Sequence, residues 1–137
     1  MPPIRRILET ALYVADLDAA LTFYRDVIGL RVIDAGPRLA VMDAGEATVL
    51  LLFKQGATLA GLDLPGGRIP PHDGSGPIHF AFAVAAESLD AWERHLNEHG
   101  IAVESRMTWD RGGRSVYFRD PDGHSVELAT PGTWPVY

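Results

Sequence analysis

Apolar and polar residues alternate in two stretches that begin alike. In Glu9-Thr10-Ala11-Leu12-Tyr13-Val14, an extended chain puts Thr10, Leu12 and Val14 on one side and Glu9, Ala11 and Tyr13 on the other. His79-Phe80-Ala81-Phe82-Ala83-Val84 repeats the pattern, again with a polar residue in first place. Each predicts a short strand. After the first, Asp16 is placed to cap a helix in which Leu17, Leu21, Tyr24 and Ile28 recur at helical spacing, and Gly29 ends it. Strands are then predicted over 30–33, 39–42 and 48–53, with a tight turn at Asp43-Ala44-Gly45-Glu46. After the second, a helix beginning at Ser88 or Asp90 buries Leu89, Trp92 and Leu96 and stops at Gly100. Strands are predicted over 101–104, 115–119 and 125–129, the last two separated by the Asp120-Pro121-Asp122-Gly123 turn.

The order β-α-β-β-β therefore occurs twice. The offset is 70 residues between Glu9 and His79 and 71 between Gly29 and Gly100, which indicates duplication. The predicted class is α+β: two tandem βαβββ modules, each a mixed sheet with a helix on one face, curling together into a cup. Within a single domain of residues 1–137, module 1 occupies about 4–54, a linker 55–77, module 2 78–130 and a tail 131–137. The linker is rich in Gly and Pro and has no period, so it is read as a loop, and loops of that length are often functional. Leu12, Val14, Phe80 and Phe82 would face the helices. Ala11, Ala81, Ala83 and Ala129 would face the cavity and leave room in it.

Composition narrows the picture. With 47% hydrophobic and 22% charged residues the chain can build a core. A net charge of −6 argues against a nucleic-acid partner, which calls for a basic face. No apolar run approaches the roughly 20 residues of a membrane span. Met1-Pro2-Pro3-Ile4-Arg5-Arg6 lacks the apolar core of a signal peptide, and there are no cysteines, so the cytoplasm is the expected compartment.

Candidate chemistry lies on the alanine face. Glu9, His79 and Glu127 share it, and Glu127 sits within the otherwise apolar Ser125-Val126-Glu127-Leu128-Ala129. A carboxylate buried there must be paired, protonated or bound to a cation. Singly, such a histidine reads as a hydrogen-bonded core residue and such a glutamate as a solvated strand end. Aligned by the repeat, two carboxylates and an imidazole suit a divalent metal with open positions, here Fe, Mn, Ni or Zn.

Three segments carry a resemblance: Glu9 to Leu30, which ends Phe23-Tyr24-Arg25-Asp26-Val27-Ile28-Gly29-Leu30; Gly76 to Val84; and Tyr117-Phe118-Arg119-Asp120-Pro121-Asp122-Gly123-His124-Ser125-Val126-Glu127. In this order and spacing the chain resembles the vicinal oxygen chelate superfamily, which includes glyoxalase I, bleomycin-resistance proteins, extradiol dioxygenases and fosfomycin-resistance enzymes. The resemblance implies a cup around a divalent metal that chelates adjacent substrate oxygens, with ligands on the first, fifth and eighth strands at Glu9, His79 and Glu127. It also implies a homodimer. Two positions depart from the pattern. Glu9 stands where His or Gln is usual, which argues against extradiol dioxygenases and the fosfomycin-type thiol transferases, both of which use two histidines with one carboxylate. The fourth-strand position, a carboxylate in glyoxalase I, aligns with Leu50 when Thr48-Val49-Leu50 is set against Ser125-Val126-Glu127, which argues against glyoxalase I.

Further candidates surround this set. Tyr117 shares a face with Ser115 and Arg119 and could hydrogen-bond substrate, or simply pack on its strand. Arg111 and Arg114 flank Gly112-Gly113 and could bind an anionic substrate, or be solvated. Trp109 and Met107 could wall the site. His72, in Pro70-Pro71-His72-Asp73-Gly74, could reach over the cup as an acid or base, or lie on the surface. His124 reads as a structural turn residue, and His95 and His99 as solvated. The apolar tail Trp134-Pro135-Val136-Tyr137 is expected to pack on a partner subunit. The leading expectation is a metal-dependent enzyme acting on a small molecule with vicinal oxygens, in which Glu9 or Glu127 acts as base beside Tyr117. Substrate contacts would come from Tyr117, Arg114 and Trp109. The alternative is a non-catalytic small-molecule or drug-binding protein of the bleomycin-resistance type, and a thiol transferase of the fosfomycin type is a third option from which Glu9 departs.

Overall fold

In the computed structural model, which describes residues 1–137, strand β1 (Glu9–Val14) leads into helix α1 (Leu17–Thr22). Asp16 caps the helix: its carboxylate accepts from the Ala19 N–H at 3.0 Å. Asp16→Ala leaves that donor without its partner and should cost about 1 kcal/mol in urea unfolding. The helix continues as a π-helical turn, Phe23–Val27. Strands β2 (Arg31–Ala35), β3 (Leu39–Gly45) and β4 (Thr48–Lys54) follow. The sheet order is β1-β4-β3-β2, so the last strand made lies beside the first and runs parallel to it. Leu12, Val14, Met42, Leu50 and Leu52 on one face of the sheet are fully buried, as are Ala20 and Tyr24 of the helical segment. These elements belong to one compact unit, residues 1–75.

The linker is not without structure. Residues 62–64 (β5) and 67–69 (β6) pair as a small antiparallel hairpin. Its strands are three residues long, too short for an alternation pattern to register in sequence.

The second unit, residues 76–137, repeats the order with β7 (His79–Ala83), α2 (Leu89–Glu98), β8 (Ser105–Thr108), β9 (Arg114–Arg119) and β10 (Ser125–Ala129). Its sheet runs β7-β10-β9-β8, with β10 parallel to β7. Val116, Phe118, Val126 and Leu128 are buried, together with Leu89 and Leu96 of the helix. A strand over 101–104 does not form. The Ile101 N–H donates back to the Leu96 carbonyl at 2.8 Å, tying the chain to the helix end, and pairing starts at residue 105. Ser88 stands at the helix start, but its hydroxyl donates to the Ala85 carbonyl rather than capping the helix.

The register corrects one alignment. Glu9 pairs with Val49, and His79 pairs with Ser125. Bridged residues on neighbouring strands share a face, so the counterpart of Glu127 in the first unit is Leu51, not Leu50. Leu50 is buried in the core on the opposite face. Leu51 carries no carboxylate either, so the first unit has no fourth-strand ligand.

Candidate functional site

Glu127 is held at the centre of its sheet, between Ala81 of β7 and Tyr117 of β9. Only 6% of its surface is exposed, and its Oε1 has no hydrogen-bond partner. Its Oε2 lies 3.3 Å from His79 Nε2. His79 Nδ1–H donates to the Ser125 carbonyl at 3.0 Å, since a carbonyl can only accept. In the neutral imidazole this fixes the lone pair on Nε2, facing the carboxylate oxygen. Two lone pairs directed at one another, beside an orphaned buried oxygen, call for a positive charge: a proton on the imidazole or a shared cation. An imidazole that binds a metal through one nitrogen and a backbone carbonyl through the other is a recurrent arrangement at metal sites. The donor set present, one imidazole nitrogen and a carboxylate on adjacent strands, therefore fits a divalent ion.

Tyr117 completes this group. Burial, and secondly its hydrogen bond to Glu127, push the phenol above its ordinary pKa, so it stays protonated at neutral pH. Its ring lies 6.0 Å from that of His79. Trp109 donates its indole N–H to the buried Ser115 hydroxyl at 2.8 Å, on the Tyr117 side of the sheet. Arg119 on the same face is paired with Glu104, and this pairing lowers the Glu104 carboxyl below its usual range.

Arg114 does not join them. It alternates to the other face of β9 and pairs with Asp90 of α2 at 2.7 Å. Its guanidinium is committed to the helix side, away from the face that carries Tyr117, where a substrate contact was expected. In the tail, the Tyr137 hydroxyl lies within hydrogen-bond reach of the Val84 and Ala129 carbonyls, 3.0 and 3.2 Å away, while Trp134 and Val136 are exposed.

In the first unit, Glu9 opens β1, with its side chain at one end of a cavity of about 540 Å³. His72 is not a solvated surface residue. Its Nδ1 lies 2.7 Å from the Tyr13 hydroxyl, and its ring packs edge-on against Phe53. The pairing that puts Tyr13 and Phe53 side by side is set by strand register and could not be read from residue types.

Asp120, Asp122 and His124 form a second group, with ligand-type atoms all within 4.8 Å of one another. The regular spacing Asp-x-Asp-x-His was legible in sequence, where only the turn was read. Asp120 Oδ1 accepts from the Asp122 and His124 amides at 3.0 and 2.8 Å, and the buried His124 ring donates to the same carboxylate. The turn uses these groups, as expected of His124.

Comparison with known proteins gives concordant matches. Residues 6–128 match the profile described as Glyoxalase/Bleomycin resistance protein/Dioxygenase superfamily. The chain is 29% identical to the glutathione transferase FosA of Serratia marcescens, over 91% of its own length and 80% of that protein. It is 31% identical to the metallothiol transferase FosB of Shouchella clausii, over 85% and 74%. A crystal structure of lactoylglutathione lyase from Agrobacterium tumefaciens superposes with a TM-score of 0.89 at 39% identity, covering 98% of this chain and 99% of that one.

Proposed function

Because the chain belongs to the Glyoxalase/Bleomycin resistance protein/Dioxygenase superfamily, we propose that it is a metal-dependent enzyme acting on a small molecule with two adjacent oxygens. The observation that supports this is the His79–Glu127 pair, with its orphaned carboxylate oxygen and its imidazole lone pair turned toward the carboxylate. His79 and Glu127 hold the metal. Glu9, which begins the duplicated strand of the first unit as His79 begins that of the second, is proposed as a metal ligand of the same kind.

A bound divalent cation supplies Lewis acidity toward neighbouring substrate oxygens. The remaining work falls to this chain's side chains. Glu127, with one oxygen free of hydrogen bonds, can accept a proton from a bound substrate. Tyr117 stays protonated and can pass its hydrogen bond from Glu127 to a substrate oxygen. Glu9 is exposed and can exchange protons with solvent. Moving a proton between neighbouring atoms suits lyase or isomerase chemistry, and the likeness to lactoylglutathione lyase favours that class over oxygenation.

The test is elemental analysis of protein purified without chelator or affinity metal, beside His79→Ala. About one Fe, Mn, Ni or Zn per chain in the parent, lost in the variant, is expected. No metal in either protein, even after reconstitution, would overturn the enzyme reading in favour of a metal-independent binding protein.

A further inference from the structure

The cavity of the first unit has features that a metal site alone does not require. It follows the strands. Glu9 stands at one end, and Tyr13, its neighbour Phe53 and then Leu39 lie four residues further along, about 13 Å away at strand rise. Between them Ala11 and Leu51 give a smooth apolar floor. The hairpin supplies an apolar roof through Leu62 and Ile69.

The far end is built from rings. Tyr13 stacks on Phe53 at 5.8 Å and 21°, and His72 stands edge-on to both. Several contacts fix this end. The Thr58 hydroxyl donates to the His72 carbonyl, and the Asp73 carboxylate accepts from the Gly56 N–H. Gly74 packs on the Tyr13 ring so closely that a Cβ there would lie 2.5 Å from it. Arg38 also lies on the wall. It donates to the Ala57 carbonyl, no carboxylate pairs with it, and four of its five N–H donors are left for another acceptor.

We infer that this pocket takes an aromatic carboxylate, its ring lying among Tyr13, Phe53 and His72 and its carboxylate on Arg38. A volume of about 540 Å³ suits a small organic molecule. Aromatic rings pack well edge-on and in offset stacks, and a guanidinium with no carboxylate partner and four N–H donors uncommitted matches a carboxylate in geometry and charge. Resting on the enzyme reading above, this deepens it: the adjacent oxygens of the substrate would lie toward Glu9, at the opposite end of the molecule from its anionic group.

The probe is naphthoate, titrated into the full chain by calorimetry, with neutral naphthyl methanol as control. Naphthoate should bind saturably. Arg38→Gln should weaken it about tenfold and leave the alcohol unchanged, and Leu62→Trp, on the exposed hairpin, should fill the pocket and abolish both. Absence of saturable naphthoate binding to the folded parent, or binding indifferent to both variants, would overturn the inference. Metal content of the same samples reports separately on the enzyme reading. Naphthoate binding without metal upholds the pocket and sinks metal-dependent chemistry; metal without naphthoate binding does the reverse.

Discussion

Glu127→Leu should give a protein that holds no metal and, compared metal-free with the parent, unfolds at higher urea. The parent keeps a carboxylate 6% exposed in the middle of a sheet, with one oxygen unpartnered. On its face of the sheet Ala81 is apolar, and His79 and Tyr117 are exposed enough to keep water as a partner. Replacing buried charged groups by apolar residues of similar size often stabilises by about 1–4 kcal/mol. The half-buried Tyr117 hydroxyl keeps water as a partner when the carboxylate is gone. Urea midpoints of the metal-free proteins measure the gain, and elemental analysis measures the loss. A leucine variant less stable than the metal-free parent would mean that Glu127 serves the fold rather than a ligand.

A second large effect is expected at Gly113. A Cβ there would lie 2.2 Å from the Thr133 nitrogen and 2.4 Å from the Gly132 carbonyl carbon. Both are backbone atoms and cannot rotate away. The Gly113 carbonyl also accepts from the Trp109 N–H at 2.8 Å, so a shift of this loop moves the tryptophan that bonds Ser115. Gly113→Ala should cost about 3 kcal/mol, the upper end for overpacking. It should also shift the Trp109 indole N–H resonance. Gly112→Ala is the control. Gly112 has a φ of +85° but open space around it, so only the backbone term of about 1–2 kcal/mol applies and Trp109 stays in place. Equal losses in the two variants would remove the steric explanation.

These sites differ in how far the sequence revealed them. The strand β10 and its buried glutamate were legible because alternation and an apolar setting are local signals. Asp16 was legible for the same reason: a cap is read from a few neighbouring residues. Leu51 was missed because its relation to Glu127 depends on pairing. The offset between equivalent positions is 70 at Glu9 and His79 but 76 at Leu51 and Glu127. Setting strand start against strand start, Thr48 against Ser125, gives 77 and falls one residue short, because only the pairing register fixes which residues stand opposite one another. Arg114 was misplaced because its side follows from strand phase, and Asp90, which holds it, is 24 residues away. The pocket beneath the hairpin was invisible: its parts come from β1, β4 and a stretch with no periodicity.

The sheet order bears on how the chain is made. In each four-stranded sheet the strand synthesised last is inserted next to the first, in parallel. Until β4 leaves the ribosome, β1 has no neighbour and the β2–β3 hairpin has a bare edge. At about 5–20 residues per second, the stretch from residue 15 to 47 takes about 2–7 s. Throughout that interval the nascent chain presents unpaired backbone and the apolar side chains of Leu12 and Val14, which the finished sheet covers completely. A translational pause before Thr48 would prolong that exposure, and faster synthesis of this short stretch would shorten it.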